Sequence, residues 1–187
     1  MSFYSKEELQ KLEFKTCGDN VFISRNASFY SPELMSFGDN VRIDDFCILS
    51  GNIKLGNNIH ISAYSSFYGR NGIIIHDFST LSVRTIIFSA SDDFSGEHMH
   101  NPTIPSEYTN VTGGVVEIEE QVLVGANSII LPNVTLSEGT IIGAMSLVNK
   151  STKPWHLYAG IPIKEIRELS KNSKILKEQF LSNAKTQ

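Results

Sequence analysis

A repeat of six residues runs through most of this chain and restricts the folds that it can adopt. Bulky apolar residues recur at every sixth position, and small or β-branched residues recur four positions after them. A period of six does not match the 3.6-residue period of an α-helix. The phase slips by two residues after Phe67 and is interrupted after Ile87. The bulky file consists of Phe37, Ile43, Leu49, Leu55, Ile61, Phe67, Ile75, Leu81, Ile87, Ile118, Val124, Ile130, Leu136, Ile142 and Val148.

This period indicates a three-sided coil of stacked strands. Antiparallel strands would need the chain to reverse, but Gly, Asn and Asp follow the bulky positions without breaking the phase. If each hexad supplies a short strand and a corner, three hexads close one coil of about 18 residues with the bulky side chain inside. Stacked coils pair their strands in parallel and align the inward positions as aliphatic ladders. We therefore predict an all-β fold, a parallel β-helix of hexapeptide repeats.

The repeat divides the chain into three parts. Residues 17–153 are predicted to form the β-helix, preceded by a short N-terminal helix within residues 1–16 and followed by a C-terminal extension and helix, residues 154–187. Residues 89–115 lie outside the six-residue phase and are predicted to form a long inserted loop. Loops of this length within a compact domain are commonly functional.

Both ends of the chain carry helix signals. Ser5 and Glu8 form a capping-box pattern, and Leu9 and Leu12 follow at helical spacing. Near the C-terminus, apolar residues among Lys and Glu residues predict a surface helix that packs across the end of the coil. These residues are Ile163, Ile166, Leu169, Ile175, Leu176 and Phe180.

Composition excludes several function classes. Lys and Arg number 16 against 20 Asp and Glu, and the resulting net charge of −4 provides no general attraction for a nucleic acid. Cys17 and Cys47 are too few for a disulfide framework, which favours a reducing compartment. No stretch reaches the roughly 20 apolar residues that a membrane span requires. We expect a cytoplasmic protein without a membrane span.

Three stretches carry a family resemblance, namely Val124–Val134, Ile142–Val148 and Tyr158–Arg167. Together with the repeated hexads they look like the hexapeptide-repeat acyltransferases, and in particular like galactoside and maltose O-acetyltransferases and the sugar acetyltransferases of surface-polysaccharide synthesis. The resemblance implies a left-handed coil, a homotrimer with active sites between adjacent chains, and acetyl-CoA as donor. It further implies acetylation of a hydroxyl or amino group on a sugar or sugar nucleotide, in lipopolysaccharide or capsule synthesis.

The same resemblance assigns residues to the acetyl-CoA site. Small corner residues leave room for the amides of the pantetheine arm to reach the backbone, and cationic side chains would meet the cofactor phosphates. The single tryptophan is expected to lie against the cofactor, and no metal is expected. The implied cofactor contacts are Ala126, Gly143, Ala144, Asn149, Lys150, Trp155, Lys164 and Arg167.

The catalytic base is the point where the sequence departs from the family pattern. The resemblance to galactoside acetyltransferases implies a histidine directly after a coil, and Asp92 stands at that position. One alternative makes His98 or His100 the base, held by a neighbouring carboxylate of Asp92 or Asp93. The other makes one of these two carboxylates the base, which suits an amine acceptor because a carboxylate is a weak base. The residue types favour histidine slightly.

Contacts to the acceptor are expected from the loop and from nearby aromatic residues. Carboxylate, amide and phenol groups pair with sugar hydroxyls, and aromatic rings stack on a sugar ring. The loop candidates are Asp93, Glu97, Asn101 and Tyr108, and the stacking candidates are Tyr64, Tyr68 and Phe94.

Three rival functions remain beside sugar acetylation. A zinc hydratase needs converging histidines, but the spacing of His60 and His76 does not fit the six-residue phase. A non-enzymatic scaffold such as an ice-binding protein should show flat outward ladders of small residues, whereas the outward positions here are irregular. A xenobiotic O-acetyltransferase would use the same prism and donor, and is the nearest enzymatic alternative.

Overall fold

The bulky file predicted from the sequence lies inside the coil. In the computed structural model, which describes residues 2–184, every one of its fifteen members is at most 2% exposed. The small residues of the second file, such as Cys47, Ser65 and Ser128, are buried beside them. The predicted parallel β-helix is therefore confirmed, and its core consists of aliphatic ladders that run along the coil axis.

Residues 2–184 form twenty short strands and two α-helices. The helices are α1 (Lys6–Gln10) and α2 (Asn172–Ala184), and single 3-10 turns lie at Pro32–Leu34 and Ser106–Tyr108. The strands are β1 (Thr16–Cys17), β2 (Phe22–Ile23), β3 (Ser28–Tyr30), β4 (Met35–Phe37), β5 (Arg42–Ile43), β6 (Ile48–Leu55), β7 (His60–Ile61), β8 (Ser66–Ile75), β9 (Thr80–Leu81), β10 (Ile86–Phe88), β11 (Ala90–Ser91), β12 (Thr112–Gly113), β13 (Val116–Ile118), β14 (Leu123–Val124), β15 (Ile129–Ile130), β16 (Thr135–Leu136), β17 (Ile141–Ile142), β18 (Leu147–Val148), β19 (His156–Ala159) and β20 (Lys164–Glu168).

The strands make three faces, all paired in parallel along the coil axis. Face one is the ladder β2-β5-β7-β9-β14-β17-β19, with β20 antiparallel at its end. Face two contains β3, the first half of β6, the first half of β8, and then β10, β15 and β18. Face three contains β1, β4, the second halves of β6 and β8, and then β13 and β16.

The two-residue slip in the repeat is absorbed where β8 bends between faces two and three. Gly51 pairs with Gly69, but Ile53 pairs with Ile73, so β8 holds two more residues than β6 over this corner. Ile75 then returns to the inward ladder and is buried. The slip therefore leaves the core register unchanged.

The corner from face one to face two, named corner one, has an unusual composition. In five successive coils one residue has a left-handed backbone there, with φ between 55° and 62°. This conformation costs most residues about 1–2 kcal/mol but is tolerated by Asn, and the corner from face three to face one uses Asn20, Asn40 and Asn58 in its first three coils and Phe78, Gln121 and Gly139 in the next three. The left-handed residues of corner one are Phe46, Tyr64, Arg84, Asn127 and Met145.

The N-terminal helix forms as its capping pattern predicts. The Ser5 hydroxyl accepts a hydrogen bond from the Glu8 amide at 3.3 Å, and the Ser5 amide donates to the Glu8 carboxylate at 2.7 Å. Leu9 is buried against the first coil. Neither α1 nor any other helix within residues 2–184 has the length and apolar content to cross a membrane.

The predicted C-terminal helix is correct only in its second half. Ile166 lies in β20, and Ile163 and Leu169 flank that strand outside α2. The last coil leaves the edge of β19 unpaired, and β20 satisfies these backbone groups by antiparallel pairing. The helix α2 therefore does not pack across the end of the coil. It lies along the corner from face three to face one, where Lys174 pairs with Glu138 at 3.3 Å and Phe180 packs against Phe78 with centroids 6.1 Å apart.

The two cysteines differ in reactivity because one of them lies in the core. Burial raises the pKa of the Cys47 thiol to about 11, whereas Cys17 is exposed. We expect one thiol per chain to react with an aromatic disulfide reagent at pH 8 in the native protein and two in denaturant. Rapid reaction of both thiols in the native protein would contradict the burial of Cys47.

Candidate active site

Corner one carries the small residues that the family resemblance assigns to the pantetheine groove. Successive coils approach closely there, since the Gly125 amide donates to the Ile142 carbonyl at 2.8 Å and the Met145 amide donates to the Ala126 carbonyl at 2.8 Å. A Cβ atom on Gly125 would lie 2.5 Å from the Ala144 nitrogen, so this position requires glycine. Ala144 itself is exposed and faces outward. The structure thus brings Ala126, Gly143 and Ala144 together at one edge.

Of the remaining predicted cofactor contacts within residues 2–184, Lys164 alone lies near that edge. Asn149 and Lys150 are exposed at the corner from face two to face three, named corner two. Face two therefore separates them from Ala144 within one chain. On β20, Lys164 pairs opposite Ala159, beside the last coil of corner one, and Arg167 pairs opposite Leu157, further along face one.

Trp155 lies inside its own chain. Its side chain is 5% exposed, and a Cβ atom on Gly139 would lie 2.5 Å from the indole ring. Gly139 has φ 69°, so the coil both turns and admits the ring at this point. Arg167 and Trp155 line a cavity of about 510 Å³ between face one and the segment that leads into α2. The Trp155 ring thus packs inside its own chain. The ring surface that was predicted to touch the cofactor is covered by other residues of the same chain.

The long loop begins at corner two with an antiparallel pair of short strands, β11 and β12, named the loop root. Strands β11 and β12 pair antiparallel, with Ala90 opposite Gly113. The Gly114 amide donates to the Ser89 carbonyl at 3.0 Å, and the Asn71 amide donates to the Ser89 hydroxyl at 2.9 Å. Asp92 follows this root directly, so its backbone position is determined by the hairpin.

Within the loop, Asp93 and His98 form the predicted carboxylate–imidazole pair. The His98 Nδ1 lies 2.9 Å from the Asp93 carboxylate, which also accepts from the Ser95 hydroxyl at 2.6 Å and the Ser95 amide at 3.1 Å. The hydrogen bonds from Ser95, followed by that from His98, hold the pKa of Asp93 well below its usual range. A carboxylate so stabilised in its ionised form is a poor proton acceptor. Asp93 therefore organises the loop.

The side chains of Asp92 and His100, by contrast, are not held by neighbouring groups. Both side chains are exposed, and neither makes a hydrogen bond to any residue between 2 and 184. The Asp92 backbone carbonyl accepts from the Ser91 hydroxyl at 3.2 Å, which leaves the carboxylate available. Of the four predicted catalytic residues, Asp92 stands nearest in sequence to the loop root.

Ser82 is a candidate that sequence reasoning missed. It follows β9 at corner one, and its amide donates to the Val124 carbonyl at 2.9 Å, so it stacks directly beneath Gly125. The hydroxyl is half-buried and makes no hydrogen bond within the part of the chain that the structure describes. The available signal was a hydroxyl at a corner position where the coils that follow along the chain carry glycine. Ser82 and Asp92 lie at opposite edges of face two, with β10 between them.

The predicted acceptor contacts fall into two groups. Tyr64 lies on corner one, and its ring stacks on Phe46 with centroids 5.0 Å apart. Tyr68 stacks on Phe88 at the edge of face two, with centroids 5.3 Å apart. The others are exposed in the loop, and they are Phe94, Glu97, Asn101 and Tyr108.

The remaining histidines do not converge on the loop. His60 on face one lies 2.9 Å from the Asp44 carboxylate, and His76 at the end of face three lies 2.8 Å from the Glu117 carboxylate. In the described portion of the chain, no group of three or more His, Cys, Asp or Glu side chains is placed to hold a metal ion.

Comparison with known proteins places the chain among sugar acyltransferases. It is 42% identical over 187 residues to dTDP-4-amino-4,6-dideoxy-D-glucose acyltransferase of Escherichia coli, and the match covers 98% of this chain and 97% of that protein. It is 26% identical to galactoside O-acetyltransferase of Escherichia coli K12, over 90% of this chain and 71% of that protein. No protein-family model matches the chain.

A solved relative has nearly the same structure. AntD, an N-acyltransferase from Bacillus cereus crystallised with dTDP and coenzyme A, is 47% identical, with a TM-score of 0.96 over 98% of this chain and 100% of that one. Other AntD crystals hold 3-hydroxybutyryl-CoA, or dTDP-4-amino-4,6-dideoxyglucose with coenzyme A. Some AntD variants substitute a serine and others an aspartate, and these two positions are ten residues apart. The chain belongs to the hexapeptide-repeat sugar acyltransferases, which take the acyl group from an acyl-CoA.

Proposed function

We propose that this protein transfers an acyl group from an acyl-CoA to the 4-amino group of a dTDP-linked 4-amino-4,6-dideoxy sugar. Support comes from the two relatives above 40% identity, both of which act on or bind that class of sugar nucleotide. The product would be an N-acylated sugar nucleotide, a substrate for glycosyl transfer into a surface polysaccharide.

One observation carries the choice of an amine over a hydroxyl. Ser82 and Asp92 are the single serine–aspartate pair in this sequence with the ten-residue spacing of the positions substituted in AntD. Both side chains lack a hydrogen-bond partner among residues 2–184, so each is available to a substrate. A carboxylate is a weak base, and an amine nucleophile needs less assistance than a hydroxyl.

The reaction then requires little of the protein beyond orientation. The Asp92 carboxylate accepts a hydrogen bond from the sugar amine and directs its lone pair at the thioester carbonyl carbon. The C–N bond forms, the C–S bond of the thioester breaks, and the proton lost by the nitrogen ends on the departing sulfur as coenzyme A thiol. A backbone N–H beside the carbonyl would stabilise the tetrahedral intermediate.

We propose further that the site is shared between copies in a homotrimer. Face two is more apolar on its outer side than face three, whose outward residues include Ser36, Lys54 and Glu117. An apolar outer face favours burial against a partner. The apolar outward residues of face two are Tyr30, Ile48, Tyr68, Ile86, Phe88, Ile129, Leu131 and Leu147.

Trimer formation would unite residues that one chain keeps apart. Ala144 and Ser82 lie at one edge of face two, whereas Asp92, Asn149 and Lys150 lie at or beyond the other. If face two packs against a second copy, corner one of one chain meets corner two and the loop root of its neighbour. Each cleft then contains a donor groove, Ser82 and a neighbour's Asp92.

The substrate assignment is tested by acyl transfer to matched acceptors. With acetyl-CoA and longer acyl-CoA donors, dTDP-4-amino-4,6-dideoxyglucose should give an amide product by mass spectrometry. The matched control is the dTDP sugar with a 4-hydroxyl group, which should not react. Turnover of chloramphenicol or of the hydroxyl sugar, with no reaction of the amino sugar, would overturn the proposed function.

Replacement of Asp92 by Asn should lower kcat/KM for the amino sugar by about tenfold to a hundredfold. A hydrogen bond to a charged group contributes about 1.5–3 kcal/mol, and the amide of Asn cannot supply that charge. The measurement is steady-state acylation with saturating acyl-CoA. His98→Ala and His100→Ala are the comparison variants and should change the rate less. A large loss in His98→Ala with none in Asp92→Asn would return the role of base to histidine.

A further inference from the structure

We propose that Phe46, Tyr64 and Arg84 form a platform for the nucleotide part of the acceptor. The face of the Phe46 ring that Tyr64 leaves uncovered would stack on the base, the Tyr64 ring would support Phe46 from behind, and Arg84 would bind the diphosphate. These three residues, named the corner-one column, occupy consecutive coils at the same corner. The inference rests on the proposed function and specifies how its acceptor is held.

The column is continuous. The Phe46 and Tyr64 rings stack with centroids 5.0 Å apart and planes inclined by 22°, and the Arg84 guanidinium lies 5.7 Å from the centre of the Tyr64 ring. The backbone holds this spacing, because the Tyr64 amide donates to the Asp45 carbonyl and the Arg84 amide to the Ala63 carbonyl, both at 3.0 Å. Aromatic faces beside a guanidinium are a common surface for stacked bases.

Folding alone does not account for the column. Each of the three residues has a left-handed backbone, where Asn is the favoured residue after Gly, and Asn occupies three of the six corresponding places at the corner from face three to face one. The aromatic residue at that corner, Phe78, packs against Phe180 of α2 with centroids 6.1 Å apart, whereas α2 does not cover corner one. Phe46 and Tyr64 are also 50% exposed, so they add little to the core. Bulky aromatic residues at a strained and exposed corner indicate a binding surface.

The position of the column determines which ligand it fits. Ser82 lies on the same coil as Arg84, and the predicted donor groove extends from there toward Ala126 and Ala144. The donor therefore occupies the coils toward the C-terminus, and the rest of the acceptor must extend over the coils toward the N-terminus. Adjacent coils are about 4.8 Å apart, which places Phe46 about 10 Å from the level of the reacting amine. A diphosphate followed by a nucleoside spans such a distance.

Charge on this corner also fits a diphosphate. Arg84 makes no ion pair with any residue in the range 2–184, and its nearest interaction is with the Tyr64 ring. The carboxylates on the coil that carries Phe46 already have hydrogen-bond or ion-pair partners. Asp44 pairs with His60 at 2.9 Å and with the Arg42 guanidinium at 2.7 Å, and Asp45 accepts from the Ser24 hydroxyl. A cation without an acidic partner next to two aromatic rings matches a phosphorylated nucleoside.

The test is calorimetric binding of dTDP and of thymidine to the full-length protein. Phe46→Ala should weaken dTDP about tenfold to a hundredfold, the usual effect of losing one stacking residue, and Tyr64→Ala, which removes the ring that supports Phe46, should weaken it by a smaller factor. Arg84→Ala should weaken dTDP comparably but leave thymidine unchanged, because thymidine has no phosphate. Tyr64→Phe should retain wild-type affinity. The surface control is Phe22→Ala, at an aromatic residue of face one that is 44% exposed. In all variants KM for acyl-CoA should stay within about twofold, since distant sites act independently.

Two outcomes would overturn the inference. The first is unchanged dTDP affinity in both Phe46→Ala and Tyr64→Ala. If these variants also lower the mass of the oligomer, the two residues form a contact between copies instead of a nucleotide site. The second is a wild-type protein that neither binds dTDP nor acylates the amino sugar, which overturns the proposed function as well. Wild-type turnover combined with unchanged affinity in the variants refutes the column alone.

Discussion

Replacing Ala144 by tryptophan is expected to raise KM for the acyl-CoA donor by about a hundredfold. Ala144 is an exposed, outward residue of corner one, beside the close contact between Gly125 and the last coils. An indole at this position would fill the space assigned to the pantetheine arm and prevent its two amides from reaching the backbone. Two lost hydrogen bonds of about 1–1.5 kcal/mol each correspond to this factor.

A tryptophan on another face provides the control for Ala144→Trp. Ser36 is an outward residue of face three, and Ser36→Trp should leave both KM values unchanged. Steady-state kinetics at varied acyl-CoA concentration measure the effect, and circular dichroism verifies that both variants are folded. An Ala144→Trp enzyme with wild-type KM for the donor would place the pantetheine arm elsewhere.

Replacing Phe67 by alanine is expected to lower the free energy of unfolding by about 3–5 kcal/mol. Phe67 is fully buried in the inward ladder of face two, where it pairs between Leu49 and Ile87. Truncation of a buried Phe leaves a cavity that the surrounding rungs cannot fill, and losses of this size are typical. The continuous ladder should make the effect as large here as in a globular core.

Urea denaturation at a fixed chain concentration measures this loss. The control is Ile175→Ala, which truncates a side chain of α2 that is 54% exposed and should change stability by less than about 0.5 kcal/mol. A loss below about 1 kcal/mol for Phe67→Ala would mean that the rungs do not support one another.

The β-helix could be predicted because its determinant is local and repeated. Every hexad carries its own inward residue, so Ile43, Ile61 and Leu81 reveal their positions without reference to distant parts of the chain. The end of the coil was predicted wrongly for the opposite reason. Ile163 and Ile166 have helical spacing, but the free edge of β19 recruits this segment as β20. That pairing depends on a partner strand, which spacing within the segment cannot indicate.

The candidate site divides in the same way. The family resemblance assigned Ala126 and Ala144 to the cofactor, and that role stays a prediction, whereas the pair of Asp93 and His98 was among the predicted loop contacts and forms in the structure. Ser82 was missed, since its significance lies in its position beneath Gly125 on the next coil. A contribution from a second chain also leaves no pattern within one sequence. The role of each site residue therefore stays a prediction until the variants are measured.

A mixed oligomer provides the most direct test of a cleft shared between chains. Ala144→Trp disables the donor groove of one chain, and Asp92→Ala removes the carboxylate that the neighbour is proposed to supply. Co-expressed and purified together through separate tags, the two impaired chains should recover about a third of the wild-type activity at a donor concentration well below the raised KM, because one of the three interfaces in every mixed trimer combines two intact halves. Activity no higher than that of the separate variants would show that groove and carboxylate belong to the same chain, and would contradict the shared site.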